Sequence, residues 1–95
     1  MTQQTPAARL DAISLGLAFG IMWGLGVFIL GIMAMAADWG TEIVVLMSSV
    51  YLGFDATFVG SLIGAAWGFV DGGVGGFLIA WLYNVILTRR QASRA

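Results

Sequence analysis

The sequence predicts an all-α integral membrane protein: a hairpin of two transmembrane helices with glycine-rich packing faces and a short interfacial helix in the connection. Three observations carry this reading. Of the 95 residues, 60% are hydrophobic and only 9% charged, against about 25% charged in a soluble domain; mean hydropathy is +0.95. Two long apolar runs, the first uncharged and the second broken only by Asp71, flank an acidic stretch. Small residues recur every fourth place along the second run, at Gly60, Gly64, Gly68, Gly72, Gly76 and Ala80, which puts them on one helical face.

The chain forms a single membrane domain, residues 1–95. Thr5-Pro6 reads as a helix start, with Thr as N-cap and Pro at the first helical position, where its missing N–H costs nothing. Arg9 and Asp11 then fall in the first turns. Residues 13–37 carry no charge and span about 36 Å as a helix, enough to cross a bilayer with some tilt. That run is longer than the roughly 7–15 apolar residues of a cleaved signal, so it is the first span.

Asp38-Trp39-Gly40-Thr41-Glu42 ends it, with Gly40 as the expected C-cap and Trp39 as an anchor in the headgroup belt. In the outer connection, residues 38–57, Ile43, Leu46, Met47, Val50, Tyr51 and Phe54 follow 3/4 spacing. The uncharged part is too short to cross, so a short amphipathic helix lying in the outer interface is expected. A partly ordered loop is the alternative, because three consecutive β-branched residues favour helix weakly.

The second span covers residues 58–87, about 44 Å of helix, which must tilt, break or project from the bilayer. Gly72-Gly73 and Gly75-Gly76 mark the place for a break. Trp81, Tyr83 and Asn84 make a second interfacial belt, and residues 88–95 form a short basic tail with Arg89 and Arg90 at the boundary. All four arginines (Arg9, Arg89, Arg90, Arg94) flank the termini, while the connection holds only Asp38, Glu42 and Asp55. The positive-inside rule therefore expects both termini in the cytoplasm and the acidic connection outside.

Gly16, Gly20, Trp23, Gly24 and Gly31 match Gly60, Gly64, Trp67, Gly68 and Gly75 as GxxxGxxWG with a further Gly seven residues on. In antiparallel spans this is an inverted repeat, or the self-matching of a chain with fourteen glycines. Lipid tails are as apolar as Leu, so helices associate in a bilayer through close backbone approach. The expected packing interface is therefore Gly16, Gly20 and Gly24 on one span and Gly60, Gly64, Gly68, Gly72 and Gly76 on the other. Its partner is the other span or a neighbouring copy. Trp23 and Trp67 are expected to fill space beside these grooves rather than to stack on a cofactor.

Asp71 is the one candidate for chemistry. A carboxylate at mid-span costs about 2.5–3.5 kcal/mol on insertion scales and is a functional candidate by default. Three readings stand at this point: a structural hydrogen bond to a neighbouring helix, a polar or ion site that handles protons, and a shallow position. Measured from Arg89 it lies about 27 Å up the helix, near the outer headgroups; measured from Trp81 it lies near mid-membrane.

Other chemistry has little support. The chain has no Cys and no His, which removes disulfides and the usual metal ligands. No nucleophile–base pair or phosphate loop is present, and the glycines follow helical spacing without the strand or Lys such a loop needs. The expectation is no enzyme, no cofactor and no metal. Four arginines at a net charge of −1 give no case for nucleic acid.

Residues 51–84, YLGFDATFVGSLIGAAWGFVDGGVGGFLIAWLYN, together with WGLGVF at 23–28, resemble small bacterial membrane proteins labelled bacteriophage-holin-like. The resemblance covers both spans. It implies a two-span, self-associating protein of the bacterial inner membrane, with both ends inside and a structural or membrane-permeability role. The strongly charged C-terminal tail usual in two-span holins is reduced here to Arg89, Arg90 and Arg94. Two other roles fit the residues: a non-catalytic accessory or scaffold subunit of a larger membrane protein complex, and a small ion or proton channel or transporter using Asp71. The lipid bilayer is a partner in each case, along with further copies or a larger complex. A rotor-ring subunit is excluded by topology, since its Arg-containing loop faces the cytoplasm.

Overall fold

The computed structural model describes residues 9–94, with Arg94 described by its backbone alone. The Thr5-Pro6 helix start lies outside the described residues. Those that are described form three helices, α1 (Ala12–Ala37), α2 (Thr41–Ser48) and α3 (Phe58–Arg94). Both α1 and α3 are long and apolar enough to cross a membrane. The molecule measures 56 × 29 × 18 Å, so its elements lie side by side in a thin slab.

Arg9 and Asp11 precede α1 rather than forming its first turns. Asp11 is extended and caps the helix: its carboxylate accepts from the Ile13 N–H at 3.2 Å and the Ser14 hydroxyl at 2.7 Å. This satisfies amide donors that a helix start leaves without partners. The Ser14 hydroxyl, donating to that carboxylate, holds it below the ordinary Asp range.

At the other end of α1, Asp38 takes the left-handed role expected of Gly40. Its φ is 52°, its N–H reaches Ala34 O at 3.1 Å, and Trp39 N–H reaches Met33 O at 3.4 Å. Asp visits this conformation at lower cost than most residues, and Thr41 Oγ1 donates to its carboxylate at 2.8 Å. Gly40, with φ 77°, instead begins α2.

The connection differs from the expected stripe. α2 stops at Ser48, where the hydroxyls of Ser48 and Ser49 donate to Val45 O and Leu46 O at 2.6 and 2.8 Å. Such bonds compete with helix continuation, and Gly53 at φ 93° turns the chain. Val44, Tyr51 and Phe54 are therefore buried, while Ile43, Leu46 and Val50 of the expected apolar face are exposed. Val44, Tyr51 and Phe54 pack with Val27 and Ala34 of α1, with Leu30, Met47 and Ala56 at the margin. The connection thus folds back along the helices.

Thr57 starts α3 as its cap, accepting from the Gly60 N–H at 2.9 Å. The helix then runs unbroken for 37 residues, about 55 Å. It passes through Gly72–Gly76 without interruption and takes in the residues expected to form a tail.

α1 and α3 lie against each other in opposite directions. Gly16 faces Gly76, Gly20 faces Gly72 and Gly24 faces Gly68. A Cβ on Gly20 would stand 2.7 Å from Phe69 O, and one on Gly24 2.8 Å from Ala65 O. Those approaches are backbone to backbone, and only the missing side chains permit them.

Candidate functional site

Asp71 lies thirteen residues from Phe58 and thirteen from Asn84, about 20 Å from each along α3. The Asn84 level is the closed end of the helix pair, because its side-chain amide pairs with the backbone of Leu10. The Leu10 N–H donates to Asn84 Oδ1 at 2.9 Å, and Asn84 Nδ2 donates to Leu10 O at 2.8 Å. Arg9 adds a hydrogen bond to Thr88. The carboxylate is therefore central along the paired helices, far from both ends.

Three aromatic side chains organise its surroundings. The tip of the connection brings in Tyr51, whose hydroxyl donates to Asp71 Oδ2 at 2.6 Å. The same hydroxyl accepts from Trp23 Nε1 at 3.0 Å. Trp67 stacks on the Tyr51 ring, with centroids 6.0 Å apart and planes 10° from parallel. Its own Nε1 donates to Leu52 O at 2.9 Å. Trp23 is fourteen residues in from the end of α1, so the connection reaches about 20 Å back along the pair.

The physical logic is a chain of donors. A phenol has one hydrogen to give and accepts through its oxygen; here both functions are filled. Polarisation along Trp23, Tyr51 and Asp71 strengthens each bond in low-dielectric surroundings. Tyr51 is only 6% exposed, and stacking on Trp67 fixes its ring. Asp71 itself is exposed on the outer face of α3, and Tyr51 is its single hydrogen-bond partner among the described residues.

Trp23, Trp67 and Asp71, singled out separately by sequence, are thus brought together, but by Tyr51 rather than by a partner helix. The two matched tryptophans both hold the connection. In the sequence Tyr51 is one residue of an apolar stripe. A hydroxyl in an apolar run, some twenty residues ahead of a mid-span carboxylate, was the available signal, and its meaning depended on the connection folding inward.

The expected glycine face divides in three dimensions. Gly16, Gly20, Gly24, Gly68, Gly72 and Gly76 lie between α1 and α3, whereas Gly60 and Gly64 face Asp55 and Phe54 of the connection. The repeat fails at its last pair: Gly31 lies against Ser61 and Phe54, but nothing comes within 4 Å of a Cβ on Gly75. Trp39, Trp81, Tyr83, Arg89 and Arg90 are exposed. Arg9, Trp81, Asn84, Val85, Thr88 and Arg89 line a shallow open depression at the clamp. Among the described residues no three Asp or Glu come together as a metal-binding group.

No protein-family model, curated protein or solved structure matches this chain.

Proposed function

We propose that the chain is a small two-span membrane hairpin that serves as a non-catalytic accessory or scaffold subunit of a larger membrane protein complex. Both termini lie in the cytoplasm, and the connection re-enters the outer half of the bilayer. The observation that carries this reading is the direction of the side chains. The polar atoms of Trp23, Tyr51 and Trp67 bond within the chain, and large apolar residues such as Ile21, Leu25, Val70 and Leu78 point outward from both helices. An exterior of this kind suits lipid or another membrane protein.

The glycine rows support the accessory role over a pore of identical copies. Eight glycines expected to make the interface already lie against α1, α3 or the connection of the same chain. Self-association through those grooves requires them to open first. The holin-like reading, in which copies assemble and permeabilise the membrane, remains the contrasting outcome of the test.

Native mass spectrometry on gently extracted membranes tests the proposal. A fixed stoichiometry with a larger complex is the expected result. A homo-oligomer free of other proteins, together with depolarisation on overproduction, overturns it in favour of the holin-like reading.

A further inference from the structure

The geometry points to Asp71 and the open strip beside it as the seat of a transmembrane helix from a different protein, one that carries a lysine or arginine at mid-depth. This names the partner chemistry of the accessory role and rests on that reading.

A carboxylate has room for about four hydrogen bonds, and Tyr51 supplies one, to Oδ2. The residue is otherwise exposed at the centre of an apolar helix, where an unpaired charge is costly and ionisable groups pair with one another. The donor chain from Trp23 through Tyr51 fixes the carboxylate from the side of the connection. Its other oxygen is left for an outside partner.

The next turn on the same face holds Gly75, one helical turn from Asp71. Gly75 differs from its neighbours Gly72 and Gly76, which lie against α1: nothing approaches a Cβ placed there. A bare position beside a carboxylate lets a second backbone come close, as small residues do at membrane helix contacts. A long cationic side chain on that backbone then reaches the free oxygen.

The cation has to come from another protein. Arg9 is committed to Thr88 at the clamp. Arg89 and Arg90 lie eighteen and nineteen residues beyond Asp71, about 27 Å or more along α3. Arg94 lies farther still in sequence, and the chain has no Lys. A second copy in the same orientation brings its arginines to the same end, away from the carboxylate.

The test uses an apolar transmembrane peptide of about 22 residues with one central Lys, and the same peptide with Leu there. Both are reconstituted in vesicles with the full-length protein, labelled through Ser93→Cys, and association is read by energy transfer. The Lys peptide is expected to bind at least tenfold tighter than the Leu peptide. Asp71→Asn should erase that preference and Asp71→Glu should keep it. Gly75→Leu should weaken Lys-peptide binding while leaving the tryptophan fluorescence of the fold unchanged. Equal binding of the two peptides, or a preference that survives both Asp71→Asn and Gly75→Leu, overturns the inference. The two proposals fail separately. A native homo-oligomer overturns the accessory role, whereas a native complex whose mass is unchanged in Asp71→Asn overturns the lysine or arginine seat alone.

Discussion

Two single-methyl additions should move stability in opposite directions. In Gly20→Ala the new Cβ stands 2.7 Å from Phe69 O, 3.1 Å from the Phe69 ring and 3.2 Å from Gly73 N. Two of these atoms are backbone, so relief requires α1 and α3 to part by about 0.7 Å to restore ordinary contact. Separation loosens the neighbouring Gly16–Gly76 and Gly24–Gly68 contacts as well. Overpacking of this kind costs about 1–3 kcal/mol, and the helix preference of Ala over Gly returns about 1 kcal/mol. The net expectation is a loss of up to about 2 kcal/mol. Gly26→Ala meets nothing within 4 Å and should gain up to about 1 kcal/mol by the same preference. The assay is reversible unfolding in mixed micelles of rising SDS content, followed by energy transfer between labels at the two helix ends. Midpoints that move in the same direction by the same amount refute the packing argument, because the two variants differ only in what their methyl groups meet.

Other predictions follow from the connection and the two ends of α1. Tyr51→Phe keeps the stack on Trp67 but leaves the Trp23 N–H and Asp71 Oδ2 without their partner. A loss of about 1–3 kcal/mol with a change in Trp23 emission is expected, and an unchanged midpoint would argue against the donor chain. Asn84→Ala removes both bonds to Leu10 and should speed amide exchange at Leu10 while leaving α3 protected; equal protection at Leu10 in the two proteins counts against the clamp. The Asp11 carboxyl sits below its unfolded value, so its support for α1 is present above that value and is lost as pH falls through the lower folded one. Exchange at Ile13 should rise on acidification through that window, and Asp11→Asn should show less pH dependence there.

Much of the architecture was legible because it depends on local pattern. The apolar runs place α1 within one residue of its expected bounds, and the start of α3 coincides with Phe58. The connection was harder. The 3/4 spacing suggests a helix through Phe54, but the hydroxyls of Ser48 and Ser49 and the turn at Gly53 end it earlier, so the stripe splits, with Tyr51 and Phe54 buried and Ile43, Leu46 and Val50 exposed. Both Asp38 and Gly40 adopt the left-handed backbone, but it is Asp38 that closes α1 while Gly40 begins α2, and residue type alone favours the glycine for the cap. Asp71 stood out from its charge alone. Its partner did not, since Tyr51 reaches it only after the chain turns back some 20 Å along the helices. The pairing of Asn84 with Leu10 was not legible either, because it joins positions 74 apart.

The opposed glycine pairs also imply an order of events during synthesis. Gly24 and Gly68 are nearest in sequence, followed by Gly20 with Gly72, Gly16 with Gly76, and finally Leu10 with Asn84. Each step closes a larger loop, with a slowly rising entropic cost that contacts already made have reduced. Closure accordingly zips outward from the connection, and the Leu10 backbone gains its partner only after Asn84 has emerged. A nascent chain halted before Asn84 would hold its glycine rows together while its two ends remained apart.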